Sequence, residues 1–223
     1  MLAGGLAALV VIGGGVYLAT SGGDDGGIIG GILGDGDTRP VPEVTLALTD
    51  TGYDATSLEA QAATQESTTE QVSGVVQGVL EAMLRTAYVD PDTWDDPGAV
   101  AGDFSGEASD RVEDDVAVLT LGEDAGDTYD YVDPGKGTLS VQVLTGAKGE
   151  ALRAYASVTF PGLAEHDDGT YTKLVIDGSY FLVHEDGTWK IVSYRVDRQE
   201  KPAKAPASPA ASASATTSEE GSG

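Results

Sequence analysis

Val72, Val75, Val76, Val79, Leu80, Met83, Leu84, Ala87 and Tyr88 recur at i, i+3, i+4, i+7 and i+8. That spacing puts all nine side chains on one stripe of an α-helix. A stripe this broad has to be buried against a second layer, so the chain needs a partner layer for its helix. Ser67 with Glu70, or Thr68 with Gln71, supplies a capping-box start, and Pro91 lies just past the end. A second helix is predicted from about Gly106 to Leu119, with Ala108, Val112, Val116 and Leu119 on one side and Ser105 as its cap.

Beyond Gly122 the apolar period falls from helical to strand spacing. Leu139–Leu144 alternates, and Leu152–Phe160 forms a second run. Tyr171–Ile176 and Tyr180–His184 form a third, with a bulge expected at Asp177-Gly178. Trp189–Val196 is the fourth. Glu185-Asp186-Gly187-Thr188 has the composition of a hairpin turn, Gly187 supplying a positive φ. Helices followed by an antiparallel meander predict an α+β domain over residues 66–198, with the apolar helix laid on one sheet face.

The flanks differ from this core. Residues 2–23 carry no charge, and Leu2–Thr20 is mostly Leu, Ala, Val, Ile and Gly. Nineteen helical residues rise about 28 Å, close to the hydrocarbon thickness of a bilayer. Residues 1–23 are therefore expected to be a transmembrane helix or a signal segment, Ala19 and Ser21 having the small-residue spacing of a cleavage site. The predicted location is the cell membrane, single-pass, with the C-terminal domain extracytoplasmic. No Lys or Arg precedes Arg39, so the charge that normally holds one flank inside is missing; a start inside a longer gene product would account for this. Residues 24–65 read as a Gly/Asp/Thr-rich flexible linker, and residues 199–223 as a disordered Ala/Pro/Ser tail.

Charge narrows the classes of partner. The chain carries 37 Asp+Glu against 12 Lys+Arg, net −25, and has no cysteine. Such a surface repels phosphate backbones, so nucleic acid is an unfavourable partner. Thiol catalysis, disulfides and Cys-ligated metals are excluded. Asp50–Asp133 holds 21 acids and two arginines (net −19), whereas Pro134–Arg198 holds eight acids and seven bases (net −1). The helical half is acidic and the strand-rich half near neutral.

The order helix, loop, helix, then long strands ending in Asp186-Gly187-Thr188-Trp189-Lys190-Ile191 resembles the nuclear transport factor 2-like (SnoaL-like) family. Ala87-Tyr88 through Gly102-Asp103-Phe104 is similar to the helical part of actinobacterial membrane-anchored proteins, among them those called mammalian cell entry-associated. The resemblance implies a cone-shaped domain in which helices pack on a curved antiparallel sheet, carried behind an N-terminal membrane helix. It also implies a pocket between sheet and helices, which some members use for isomerase, cyclase or dehydratase chemistry.

That chemistry needs a pocket carboxylate or histidine with a hydroxyl donor nearby. The candidates are Asp177, the one mid-strand carboxylate, and His184 at a strand end; both read first as structural or solvated residues. His166 lies in a polar loop. Tyr155, Tyr171, Tyr180 and Trp189, with Tyr194, are the sheet aromatics that would line a ligand pocket, or else pack the core and rim. The acidic loop Glu123, Asp124, Asp127, Asp130 and Asp133 lacks the order of a calcium loop and reads as solvated, as do Asp90, Asp92, Asp95 and Asp96. No metal or cofactor is expected, and no phosphate-binding or nucleophile motif is present in the sequence. The expected function is a membrane-anchored binding or assembly module without catalytic activity, recognising a partner protein or an apolar ligand, with a homodimer as one form of assembly. A SnoaL-like isomerase or lyase acting on a hydrophobic small molecule is the alternative.

Overall fold

A computed structural model describes residues 39–55, 62–94, 96–122 and 124–206. The expected membrane segment lies outside these residues. Among the described residues, no helix is long and apolar enough to cross a membrane. The fold is α+β.

The order of elements is β1 (Leu46–Ala55), α1 (Ala62–Leu84), three short helices α2 (Glu107–Asp110), α3 (Val116–Leu119) and α4 (Ala125–Thr128), then β2 (Tyr129–Pro134), β3 (Gly137–Thr145), β4 (Ala151–His166), β5 (Tyr171–Glu185) and β6 (Thr188–Ala203). The sheet runs β1-β3-β4-β5-β6, with β2 also paired to β4. Long antiparallel ladders join β3 to β4, β4 to β5 and β5 to β6. β1 is parallel to β3, Leu46 standing opposite Gly137. The sheet is therefore mixed, not purely antiparallel, and the expected 24–65 linker contains a strand. β1 alternates poorly because it is an edge strand with most side chains in water, so period 2 is not written into it.

β2 and β3 lie end to end along one side of β4, and Pro161 marks the junction. The carbonyl of Pro161 accepts from the Gly135 amide at 2.8 Å, so the side of Pro161 that lacks an N–H faces the gap between β2 and β3. A proline is thus accommodated inside a 16-residue strand. Asp177 and Gly178 pair in continuous register with both neighbours, and the expected bulge there is absent. The irregularity falls instead opposite Phe181 and Leu182, where β6 carries Val192 as an extra residue. β6 continues to Ala203, beyond the expected start of the tail, with Pro202 on the sheet edge where a missing donor costs least.

Alternation divides the sheet into two faces. Leu139, Val141, Ala156, Phe160, Ile176 and Leu182 turn inward and are buried. α1 covers them with Val72, Val76, Leu80, Met83, Leu84, Ala87 and Tyr88, the last two carried on a π-helical turn, Arg85–Val89. α1 begins at Ala62, earlier than the capping box suggests, and Thr68 donates to the Gly149 carbonyl at 2.8 Å rather than capping a helix end. The single helix expected over 106–119 is broken into α2 and α3. Ser105 is no cap: its hydroxyl is buried without a partner, and Gly106 occupies the cap position at φ 58°. Ala108, Val112, Val116 and Leu119 are nevertheless all buried, as their spacing predicts.

Candidate functional site

One residue of the α1 stripe, Val75, is not used by the core, and Val79 packs only at the core's edge. Val75 is 46% exposed and Val79 is half-buried. Both open on a cleft of about 640 Å³, the size of small-molecule sites, between the outer shoulder of α1 and the β5–β6 hairpin. Val72, Val75 and Val79 form its helical wall, at i, i+3 and i+7. Trp189, His184 and Ala151 stand on the sheet side. The hairpin is held tight by Asp186 and Gly187, both at positive φ (49° and 86°), and this directs Trp189 inward two residues later. The His184 ring lies 5.6 Å from that of Trp189.

Polar groups share the lining with the apolar strip. Thr68, Gln71 and Thr188 lie at the lining, together with Asp103 and Lys190. The Lys190 ammonium donates to the Gly102 carbonyl at 2.5 Å, tying the 97–103 turn to β6. Beside it, the Asp103 carboxyl is raised above the usual carboxylate range because burial strips its hydration, and the nearby Lys190 charge pulls the other way. Among the described residues, Asp103 makes no hydrogen bond or ion pair; Lys190 acts on it only through space. It is a half-buried carboxylate whose oxygens still reach solvent.

The structure separates the residues singled out from the sequence. Of them, Trp189 and His184 line the cleft. His184 is exposed at its rim. Asp177 is on the opposite sheet face, where it accepts from the Thr159 hydroxyl at 2.7 Å. Tyr155 shares that outer face and packs on Phe181 at 4.8 Å, its hydroxyl 3.2 Å from Ser179 Oγ. Tyr180 is fully inside, filling the core between sheet and α1, not lining a pocket. Tyr171 is at the far end of β5, beside the Arg39–Glu165 ion pair (2.6 Å). Thirteen extended residues separate Tyr171 from His184, about 43 Å. Asp177 and the tyrosines thus do not converge with His184 on one cavity.

The cleft residues not anticipated from sequence are Asp103, Lys190, Val75 and Val79 in their wall roles. Val75 and Val79 carried a readable signal, because a stripe of nine positions is wider than one sheet face covers. Asp103 carried none, being one of 37 acids. The outer sheet face is a second feature, with Phe181 49% exposed among residues of the near-neutral half. Among the described residues no group of three acidic or histidine side chains is placed to hold a metal. Compared with protein-family models, with curated proteins and with solved structures, the chain matches none.

Proposed function

We propose that this chain is a membrane-tethered, extracytoplasmic binding module without catalytic activity, in which a cone-shaped, nuclear transport factor 2-like domain recognises an apolar partner at the α1/hairpin cleft. One observation carries the reading. α1 presents Val75 to solvent in the cleft that Trp189 also lines, although the core is already closed by the rest of the stripe. Apolar surface that the fold does not need is characteristic of a binding site. The uncharged run Leu2–Thr20 supports the tether, and a long helix lying across long strands supports the cone.

Native mass spectrometry of the full chain, released from detergent, tests this. Wild type is expected to carry a co-purified mass that Val75→Asp loses. A wild-type chain that is clean under conditions preserving weak complexes, and that also recruits no partner through Val75, overturns it.

Asp103 favours a second reading, a SnoaL-like isomerase or lyase, since it is a partly desolvated carboxylate in a cleft. In that case Asp103→Asn abolishes turnover of a hydrophobic carbonyl substrate, whereas in the binding reading there is no turnover to lose.

A further inference from the structure

We propose that β1 is a docking edge for an extended polypeptide of alternating apolar and basic side chains, which joins the sheet as a further strand. The surface lies at the other edge of the sheet from β6, and the proposal stands whether or not the cleft at Val75 holds a ligand.

The two edges are finished differently. Beside β6, the Ser105 amide donates to the Ile191 carbonyl at 2.9 Å, and Phe104 bridges to the same residue. On β1, α1 closes the edge at one point. The Leu46 amide donates to Glu81 Oε1 at 2.8 Å, and the Gln77 side-chain amide donates to the Leu46 carbonyl at 3.0 Å. From Asp50 to Ala55, β1 pairs with β3 on one side and, among the described residues, with no strand on the other. The Asp54 carbonyl faces β3, where it accepts from the Thr145 hydroxyl at 3.4 Å. By alternation, the amides and carbonyls of Thr51 and Tyr53 point outward.

The side chains of this edge carry a pattern. Thr49 is the extra residue of a bulge, its hydroxyl donating to the Leu139 carbonyl at 3.1 Å. Leu48, Thr51 and Tyr53 stand opposite Leu139, Val141 and Val143 and share their face. Asp50 and Asp54 stand opposite Ser140 and Leu144 on the outer face. Leu48 is 40% exposed and Tyr53 38%, so one face of the edge keeps uncovered apolar surface. The other holds two carboxylates about 13 Å apart along the strand. Neither makes an ion pair among the described residues. An added strand with apolar residues beside Leu48 and Tyr53, and Lys or Arg beside Asp50 and Asp54, complements both faces at once. A second copy of β1 paired about Gly52 would instead bring the like charges of Asp50 and Asp54 together.

The test titrates the full chain in detergent, at about 0.15 M salt to screen diffuse attraction, against dye-labelled octapeptides followed by fluorescence anisotropy. One alternates lysine and valine, one alternates glutamate and valine, and one has four lysines followed by four valines. The alternating lysine peptide is expected to bind tightest and the glutamate peptide weakest, with the block peptide about fivefold or more below the first. N-methylating alternate amides separates strand pairing from charge attraction. One methylated set is expected to abolish binding and the other to leave it within about threefold. Asp50→Asn combined with Asp54→Asn is expected to weaken the alternating lysine peptide about fivefold and the block peptide less than twofold.

Equal affinity for the alternating and block peptides, or equal loss from both methylated sets, overturns the proposal. So does a loss of peptide binding in Val75→Asp, which places the peptide in the cleft. A chain that dimerises in sedimentation, the dimer being lost in Thr51→Pro, overturns it as well, because the edge is then filled by a second copy.

Discussion

The Tyr180 ring folds back over Gly178, two residues earlier on the same face of β5, so closely that a Cβ at 178 would lie 2.5 Å from Tyr180 Cε2. Tyr180 is 1% exposed and cannot swing away without leaving a void between the sheet and α1. Glycine at 178 is therefore set by a close approach, not by backbone conformation or a bulge. Gly178→Ala is expected to cost about 1–3 kcal/mol through overpacking, read as a lower urea midpoint with unchanged slope. Asp177→Ala, one residue away on the outer face, is expected to change stability by less than about 1 kcal/mol.

α1 offers a sharper contrast between neighbours. Val76 is 0% exposed against the sheet, and Val75 lines the cleft. Val76→Asp buries an unpaired carboxylate and should abolish folding, whereas Val75→Asp should leave the thermal midpoint within a few degrees of wild type. Circular dichroism melts of the two variants check this directly. A Val75→Asp chain that fails to fold would make that residue part of the core.

A clasp outside the cleft gives a pH prediction. Asp115 Oδ2 accepts from the Tyr194 hydroxyl at 2.8 Å and from Arg111 at 2.6 Å. The Tyr194 hydrogen bond first, and Arg111 after it, hold the Asp115 carboxyl below the usual range. A carboxyl depressed on folding contributes stability that is present above its unfolded value, about 3.9, and is lost as pH falls through its folded value. Tyr194→Phe should therefore cost about 1 kcal/mol at neutral pH, and the gap to wild type should narrow as the pH drops below about 4. Denaturant titrations at several pH values give the comparison.

Tyr88 closes the opposite side of the core, its hydroxyl donating to the Val118 carbonyl at 2.8 Å. Burial pushes this phenol well above its ordinary value, and the neighbouring Tyr180 adds to the effect. A phenol raised on folding contributes stability that is present below its unfolded value, about 10, and is lost as pH rises toward the folded one. Tyr88→Phe is expected to cost about 1–3 kcal/mol, because the Val118 carbonyl loses its donor. In wild type, alkaline titration followed at the phenolate band should leave Tyr88 and Tyr180 protonated until the fold opens.

Periodicity made the main layers legible. The Val72–Tyr88 stripe, the alternating strands and the Asp186-Gly187 turn all announce themselves, because each is a local pattern imposed by burial on one side. β1 did not, since an exposed edge strand has no such pattern and its parallel register with β3 depends on residues some 90 positions away. The break between α2 and α3 was hidden behind an apolar spacing that suits either one helix or two turns. The continuity of β4 through Pro161 depends on a gap in the neighbouring strands that no local window contains. Of the site, the aromatic Trp189 and the rim His184 were legible. Asp103 was not, because what sets it apart is burial beside Lys190 rather than its place in a motif.

Photocrosslinking at two positions of the full chain tests the account most directly. A photoreactive residue at 75 samples the cleft, and one at 181 samples the outer sheet face, both positions being about half exposed. The account predicts a discrete adduct from position 75, with little from 181. A discrete adduct from 181 and none from 75 would contradict it and place recognition on the sheet.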